Sequence, residues 1–377
     1  MSYETNGIFE VIIGILKTVY PLMKRLFAVF LVLVILSLDT FSSDSKKNTI
    51  HPIFDVGYQI IDLKYQKNGK EQNLTAAVWY PTETKPKLFN YGGPTNGNIA
   101  VDATPLAING PYPLLVFSHG YGGSGLSAVF FTEQLAAKGW IVVAPDHHDR
   151  YSATRIRSGR NNELDRSGFF RHAREIASSS PEDRGKYLYR LDEMKLTLDG
   201  ILNHYLFEKL INKEQIAVGG HSFGGFTALG LCGTIKKRHD TRIKAVLLFS
   251  TGAGGYLFTE DELRKVWIPS MLFMGERERQ QYRGTRTMSE ISDKIYRSMS
   301  PPKYFLEVKG ANHFSFNNRF VDNRMTGILS GNEKMFDVIR RYSIAFLENH
   351  VAVNKDSDRV LKRSNPILTR YDKEPRS

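Results

Sequence analysis

A chain of 377 residues, 41% hydrophobic and 24% charged, has the composition of a globular protein with a sizeable core, which excludes a disordered or fibrous chain. Its single cysteine, Cys232, excludes an intrachain disulfide and any multi-cysteine zinc site. The formal charge of +12 suits contact with an anionic membrane surface, but no nucleic-acid module and no interleaving of aromatic and basic residues accompanies it.

From Met23 the chain reads MKRLFAVFLVLVILSLDTFSSDS. Lys24 and Arg25 are followed by an apolar run of 13 residues, 26–38, and then by small and polar residues. That is the order of a secretory signal, and the run is shorter than the roughly 20 residues that span a bilayer. A second apolar stretch, IFEVIIGILKTVYPLM, precedes it, broken by Glu10, Lys17 and Pro21. Residues 1–45 are therefore expected to be either a cleaved signal begun at Met23 or an uncleaved anchor formed by residues 8–38 together. No A-x-A site marks a cleavage point. Asn73, in NLT, fits the pattern of an N-glycosylation acceptor.

Strand-like segments then begin. DVGYQIIDLKYQ and NLTAAVWYP flank KNGKEQ, whose Asn68-Gly69 is a hairpin signal. Residues 90–112, rich in Gly, Pro and Asn, are expected to be a loop. PLLVFSHG, WIVVAPD, QIAVGG, IKAVLLFS, IPSMLFMG and KYFLEVKG are apolar runs without alternation, as strands covered on both faces should be. Helical spacing appears between them, in AVFFTEQLAAKG, YLYRLDEMKLTLDGILNHYLFEKL, FGGFTALGLCG, ISDKIYRSM and EKMFDVIRRYSIAFLENHV. Strands alternating with helices predict a mostly parallel sheet with helices on both faces, over residues 46–354. Ligand chemistry in such sheets sits at the carboxyl ends of the strands. Residues 150–186 interrupt the alternation as a basic and aromatic insertion, and residues 355–377 read as a polar basic tail, loosely held.

Gly220-His221-Ser222-Phe223-Gly224 fits G-x-S-x-G, with a strand before it and a helix-forming segment after it. A strand turning at once into a helix strains the serine backbone and crowds Gly220 and Gly224. Ser222 is thus the expected nucleophile. The N–H of Phe223 and the N–H of Tyr121, in the loop FSHGYGG, are the expected oxyanion donors. His313, in VKGANHFSF just past the last parallel strand, is the expected base. His221 beside the serine, His119 in the oxyanion loop, and His172, His204 and His350 are weaker rivals. The acid should follow a strand between serine and histidine. IKAVLLFS ends in STGAGG without a carboxylate, whereas IPSMLFMG ends in GERERQQ, which offers Glu276 and Glu278. Both stay open; the commoner G-x-x-acid spacing favours Glu278.

PDHHDR brings Asp146, His147, His148 and Asp149 together, but neighbours in one turn rarely converge on one ion, so a loop lining the pocket is expected and no metal. Cys232 is expected in the core. No cofactor is called for.

YPLLVFSHGYGG, AAKGWIVVAPDHHDRYSAT and IAVGGHSFGG together resemble the platelet-activating-factor acetylhydrolase family, from about Asp55 to His350. The resemblance implies an α/β-hydrolase fold and a calcium-independent serine esterase that removes short or oxidised sn-2 acyl chains from phospholipids. It implies Ser222 as nucleophile, His313 as base, and Tyr121 and Phe223 as oxyanion donors. It also implies an aspartate after the strand ending LLFSTG, where this chain has Ser250. An acid one strand further on is the placement in dienelactone hydrolases and cutinase-like polyester hydrolases. A small-ester carboxylesterase is therefore the alternative activity, and a silent hydrolase fold used for binding is the alternative from another class. The insertion at 150–186 is of the kind that caps such pockets. Oligomeric state is not legible in the sequence.

Overall fold

The computed structural model describes residues 54–67, 69–283, 285–318 and 331–376. The segment read as a signal or anchor lies outside them. Among the described residues no helix is long and apolar enough to cross a membrane.

The hairpin signal yields β1 (Asp55–Lys67) and β2 (Lys70–Thr82), antiparallel throughout, with Lys67 opposite Lys70. Gly69 takes φ +73°, a conformation that only glycine adopts cheaply. The stretch expected to be a loop instead begins as a second hairpin, β3 (Lys87–Gly92) and β4 (Thr95–Val101). Gly92 and Gly93 at positive φ make its turn, and Tyr91 and Ile99 give it buried side chains. Trp79 Nε1 donates to Tyr91 Oη at 2.9 Å and fastens the hairpin to β2. The residues that suggested a loop fall both at the turn, 92–94, and inside the strands, at Asn90, Asn96, Gly97 and Asn98, so composition hid the pairing.

The apolar runs become β5 (Tyr112–Ser118), β6 (Ile141–Pro145), β7 (Ile211–His221), β8 (Ile243–Phe249), β9 (Ser270–Gly275) and β10 (Lys303–Val308). Each pairs in parallel with its neighbours in this set. The complete sheet has 11 strands in the order β11–β10–β9–β8–β7–β5–β6–β2–β1–β4–β3, where β11 is Leu368–Glu374. That last strand corrects the expected loose tail. It runs antiparallel to β10, and Arg370 lies over the Phe305 ring at 4.1 Å and bonds Asp293 at 2.6 Å. A charged edge strand has the composition of a solvated tail, which hides it in the sequence.

Six helices of seven or more residues matter for the site: α1 (Val129–Ala136), α2 (Arg166–Ser178), α3 (Tyr189–Leu202), α4 (Phe223–Leu229), α5 (Met288–Ser298) and α6 (Glu333–His350). Successive strand residues point to opposite faces. Leu114 and Val116 of β5 therefore join one cluster with α3, α4 and α5. Phe117 meets Phe131 of α1 on the other face, where α6 stacks Phe336 on Phe130 at 4.1 Å. The helix expected to run to residue 210 stops at Leu202, and Phe207 turns inward against Tyr80. The result is a parallel sheet with helices on both faces, an α/β-hydrolase fold.

Candidate active site

Ser222 sits between the last residue of β7 and the first of α4, at φ +55° and ψ −116°. Non-glycine residues avoid that region, so the surrounding structure must hold the serine there. A Cβ on Gly220 would stand 2.2 Å from the Gly224 carbonyl oxygen, and one on Gly224 2.0 Å from that of Ser118. No side chain fits at either place, which explains both glycines of the motif. Ser222 N–H donates to Phe249 O at 2.9 Å, tying the turn to β8.

The ends of β8, β9 and β10 supply the partners. His313, just beyond β10, places Nε2 2.8 Å from Ser222 Oγ. Its Nδ1 lies 3.1 Å from Glu278 Oε2. Glu278 is fully buried, and its other oxygen accepts the Gly275 N–H at 2.8 Å. Glu276 turns away: its Oε2 accepts the Gly310 N–H at 2.8 Å. Ser250, at the end of β8, places Oγ 2.6 Å from Glu278 Oε2 and 2.6 Å from His313 Nδ1. The missing carboxylate after β8 marked this position in the sequence, but not that its hydroxyl would touch both residues.

The N–H groups of Tyr121 and Phe223 make no hydrogen bond to another described residue. The Gly120–Tyr121 peptide is held by its carbonyl, which accepts from Gly123 N–H at 3.1 Å and faces His119 Nδ1 at 2.6 Å. A planar trans peptide then directs the Tyr121 N–H to the opposite side. The tautomer of His119 follows from its neighbours. His147 N–H donates to Nε2 at 3.1 Å, so the imidazole proton sits on Nδ1 and goes to Gly120 O. Arg190, 3.3 Å from the same Nδ1, can then make no hydrogen bond to it. A site with a strained serine, an imidazole on its hydroxyl, a buried carboxylate behind the imidazole and two free N–H groups has the parts for acyl transfer.

The sequence model of platelet-activating factor acetylhydrolase, isoform II, matches residues 87–176 and 187–366. The chain belongs to this family. It is 26% identical over 292 residues to the platelet-activating factor acetylhydrolase of Cavia porcellus, covering 70% of this chain and 63% of that protein. The Canis lupus familiaris protein of the same name is 26% identical over 284 residues, covering 68% of this chain and 61% of the relative. The chain thus spans less than two thirds of these relatives' length. A ferulic acid esterase from Streptomyces cinnamoneus superposes with a TM-score of 0.60 over 87% of this chain and 95% of its own, at 20% identity, which shows a shared fold.

Within the family resemblance, the strand end expected to carry an aspartate carries Ser250, and the carboxylate beside His313 comes from the next strand end. The rival histidines make other contacts. His221 donates from Nε2 to the carbonyl oxygen of His313 at 2.9 Å, and burial, with His313 close by, keeps it neutral. His172 bonds Glu175 on α2, and His350 faces Tyr304. His204 lies beyond α3, stacked on Tyr205.

The PDHHDR loop and α3 form a buried polar cluster behind the oxyanion loop. Arg190, fully buried, donates from Nε and Nη2 to Asp149 at 2.9 and 3.0 Å and from Nη1 to His119 O at 3.1 Å. Its guanidinium lies over the Phe223 ring at 4.6 Å. Burial raises the Asp149 pKa, but Arg190, the His119 and His147 rings and the Tyr189 hydroxyl together outweigh it and hold the carboxyl below its ordinary value. Glu193 faces Nδ1 of both His147 and His148 at 2.8 Å. These side chains are committed to each other, and Asp146 accepts the N–H groups of Gly125 and Ile156 at 2.8 Å. The loop therefore supports the His119–Gly125 segment from behind. Arg190 and Glu193 were not singled out in the sequence; two charges three apart on the buried face of a helix were the available signal. Cys232 is buried, as expected, and donates to Ala228 O.

The insertion at 150–186 packs over the same loop. Phe169 of α2 stacks on Tyr121 with ring centroids 4.9 Å apart, and Tyr121 Oη donates to Phe169 O at 3.3 Å. Ala153 N–H reaches Gly122 O at 2.8 Å.

Proposed function

We propose that this protein is a serine esterase that hydrolyses carboxylic esters through an acyl-enzyme. The observation that carries this is the continuous contact of Ser222 Oγ, His313 and Glu278 at 2.8 and 3.1 Å. His313 Nε2 takes the Ser222 proton as Oγ attacks the ester carbonyl, and Glu278 stabilises the imidazolium that forms. The N–H groups of Tyr121 and Phe223 hold the oxyanion. The imidazolium then protonates the departing alkoxide. Water deprotonated by the same histidine attacks the acyl-enzyme and releases the acid.

The preferred substrate in this reading is a phospholipid with a short sn-2 acyl chain. The family and the names of the relatives support that choice. So does the insertion, where Phe170 on α2 is 60% exposed among arginines, with Phe314 beside His313 44% exposed. Together they suit peripheral contact with an anionic lipid surface. The apolar run at 26–38 supports delivery into a secretory or membrane route. The carboxylate after β9 favours a second reading, a small-ester carboxylesterase like the dienelactone or cutinase-like hydrolases.

A fluorophosphonate probe should label the protein and fail to label Ser222→Ala. An unlabelled wild type points instead to a binding protein on a hydrolase fold. Rates on sn-2 acetyl phospholipid, long-chain phospholipid and butyryl esters then separate the two substrate readings. Equal or faster turnover of the butyryl esters removes the phospholipid assignment.

A further inference from the structure

Ser250 is a buried, strained residue in the middle of the site. Its φ is +45°, a region that non-glycine residues avoid, and its N–H is fixed by Phe273 O at 2.8 Å. Strain at a fully buried hydroxyl invites a question about what the hydroxyl does.

Counting protons answers it. A hydroxyl has one proton and two lone pairs, and a carboxylate only accepts. The Ser250 proton therefore goes to Glu278 Oε2, 2.6 Å away. His313 Nε2 accepts the Ser222 proton, so the imidazole proton sits on Nδ1. That Nδ1–H faces two acceptors, Ser250 Oγ at 2.6 Å and Glu278 Oε2 at 3.1 Å, and the shorter contact is to the serine. Glu278 is clamped at both oxygens, by Ser250 and by Gly275 N–H.

We propose that Ser250 is a positioning residue for this chemistry. Its hydroxyl fixes the Nδ1–H tautomer of His313 and holds Glu278 Oε2 within reach of that proton. The strand end β8 thereby contributes a hydroxyl to the imidazole, while β9 contributes the charge. Without Ser250, Nδ1–H keeps only its longer contact, and the buried carboxylate loses one of its three donors.

The inference rests on Ser222 as nucleophile and His313 as base, and the test separates the two. Ser250→Ala and Ser250→Gly are made in the full chain and assayed with a butyryl ester beside Ser222→Ala. Glycine takes φ +45° without penalty, so Ser250→Gly keeps the fold even where alanine does not. The expected result is a fall in kcat of roughly tenfold or more with KM unchanged, the scale of one charge-assisted hydrogen bond. The downfield proton resonance of His313 Nδ1–H should move as well, which a packing role would not cause. A folded Ser250→Gly with wild-type kcat, beside an inactive Ser222→Ala, overturns the role of Ser250 alone. Activity surviving in Ser222→Ala overturns Ser222 as the nucleophile and this inference with it.

Discussion

Glu276 and Glu278 leave one turn two residues apart, but only Glu278 reaches His313. Glu278 Oε2 lies 3.1 Å from Nδ1, while Glu276 accepts the Gly310 N–H at 2.8 Å. A neutral amide at 278 keeps the shape and removes the charge that stabilises the imidazolium. Glu278→Gln should therefore lower kcat about a hundred- to ten-thousandfold. Glu276→Gln should stay within about threefold, since its carboxylate touches only backbone. Steady-state rates of the two variants decide the matter, and equal losses would refute the assignment.

His221 holds His313 by its backbone. Its Nε2–H holds the His313 carbonyl at 2.9 Å across the site. His221→Phe keeps a ring of similar size and leaves that carbonyl without this donor, a cost of about 1–3 kcal/mol. The expected outcome is a lower melting temperature and a kcat reduced by roughly tenfold as the imidazole loses its fixed placement. Unchanged kcat in a destabilised variant would limit His221 to a structural part.

The parts of the molecule legible in the sequence share a physical cause. Strands β5 to β10 are buried on both faces, so their apolar runs lack alternation and announce themselves. Ser222 is legible because the strand-to-helix turn leaves no room for a side chain at Gly220 or Gly224. What stayed hidden depends on partners distant in sequence. Ser250 acquires its contacts only when residues 28 and 63 positions away arrive beside it. Arg190 looks like a surface charge on a helix until Asp149 is placed against it. Strand β11 looks like a tail because one side of an edge strand faces water.

Arg190 and Asp149 pair in full burial, with the guanidinium also on His119 O. Removing one partner of such a pair strands the other charge, at a cost of about 3–5 kcal/mol. Arg190→Met should lower stability on that scale in urea unfolding, and adding Asp149→Asn should recover part of the loss. The oxyanion loop also loses its support, so kcat should fall in the single variant even where it remains folded. A single variant as stable as wild type would contradict the ion-pair account.

Stability should decline steadily in mild acid. Burial lowers the pKa of His119, His147 and His221, and brings His350 from 6.5 to about 4. Each is neutral when folded, while the unfolded chain takes up protons near pH 6.5, so the unfolded state binds more protons below that value. Their contribution is complete above about pH 6.5 and is lost as the pH falls, for His350 down to about 4. Glu193 adds a second window with the same sign. Burial pushes its pKa up, but the hydrogen bonds from His147 and His148 prevail and hold it at about 2. Its share is complete above its unfolded value of 4.5 and disappears as the pH falls to about 2. Melting temperature should thus be level above neutrality and drop continuously from about pH 6.5 downward. His350→Gln, which removes one titrating group, should flatten the upper part of that descent. A melting temperature independent of pH between 7 and 4 would show that these histidines already accept protons in the folded protein.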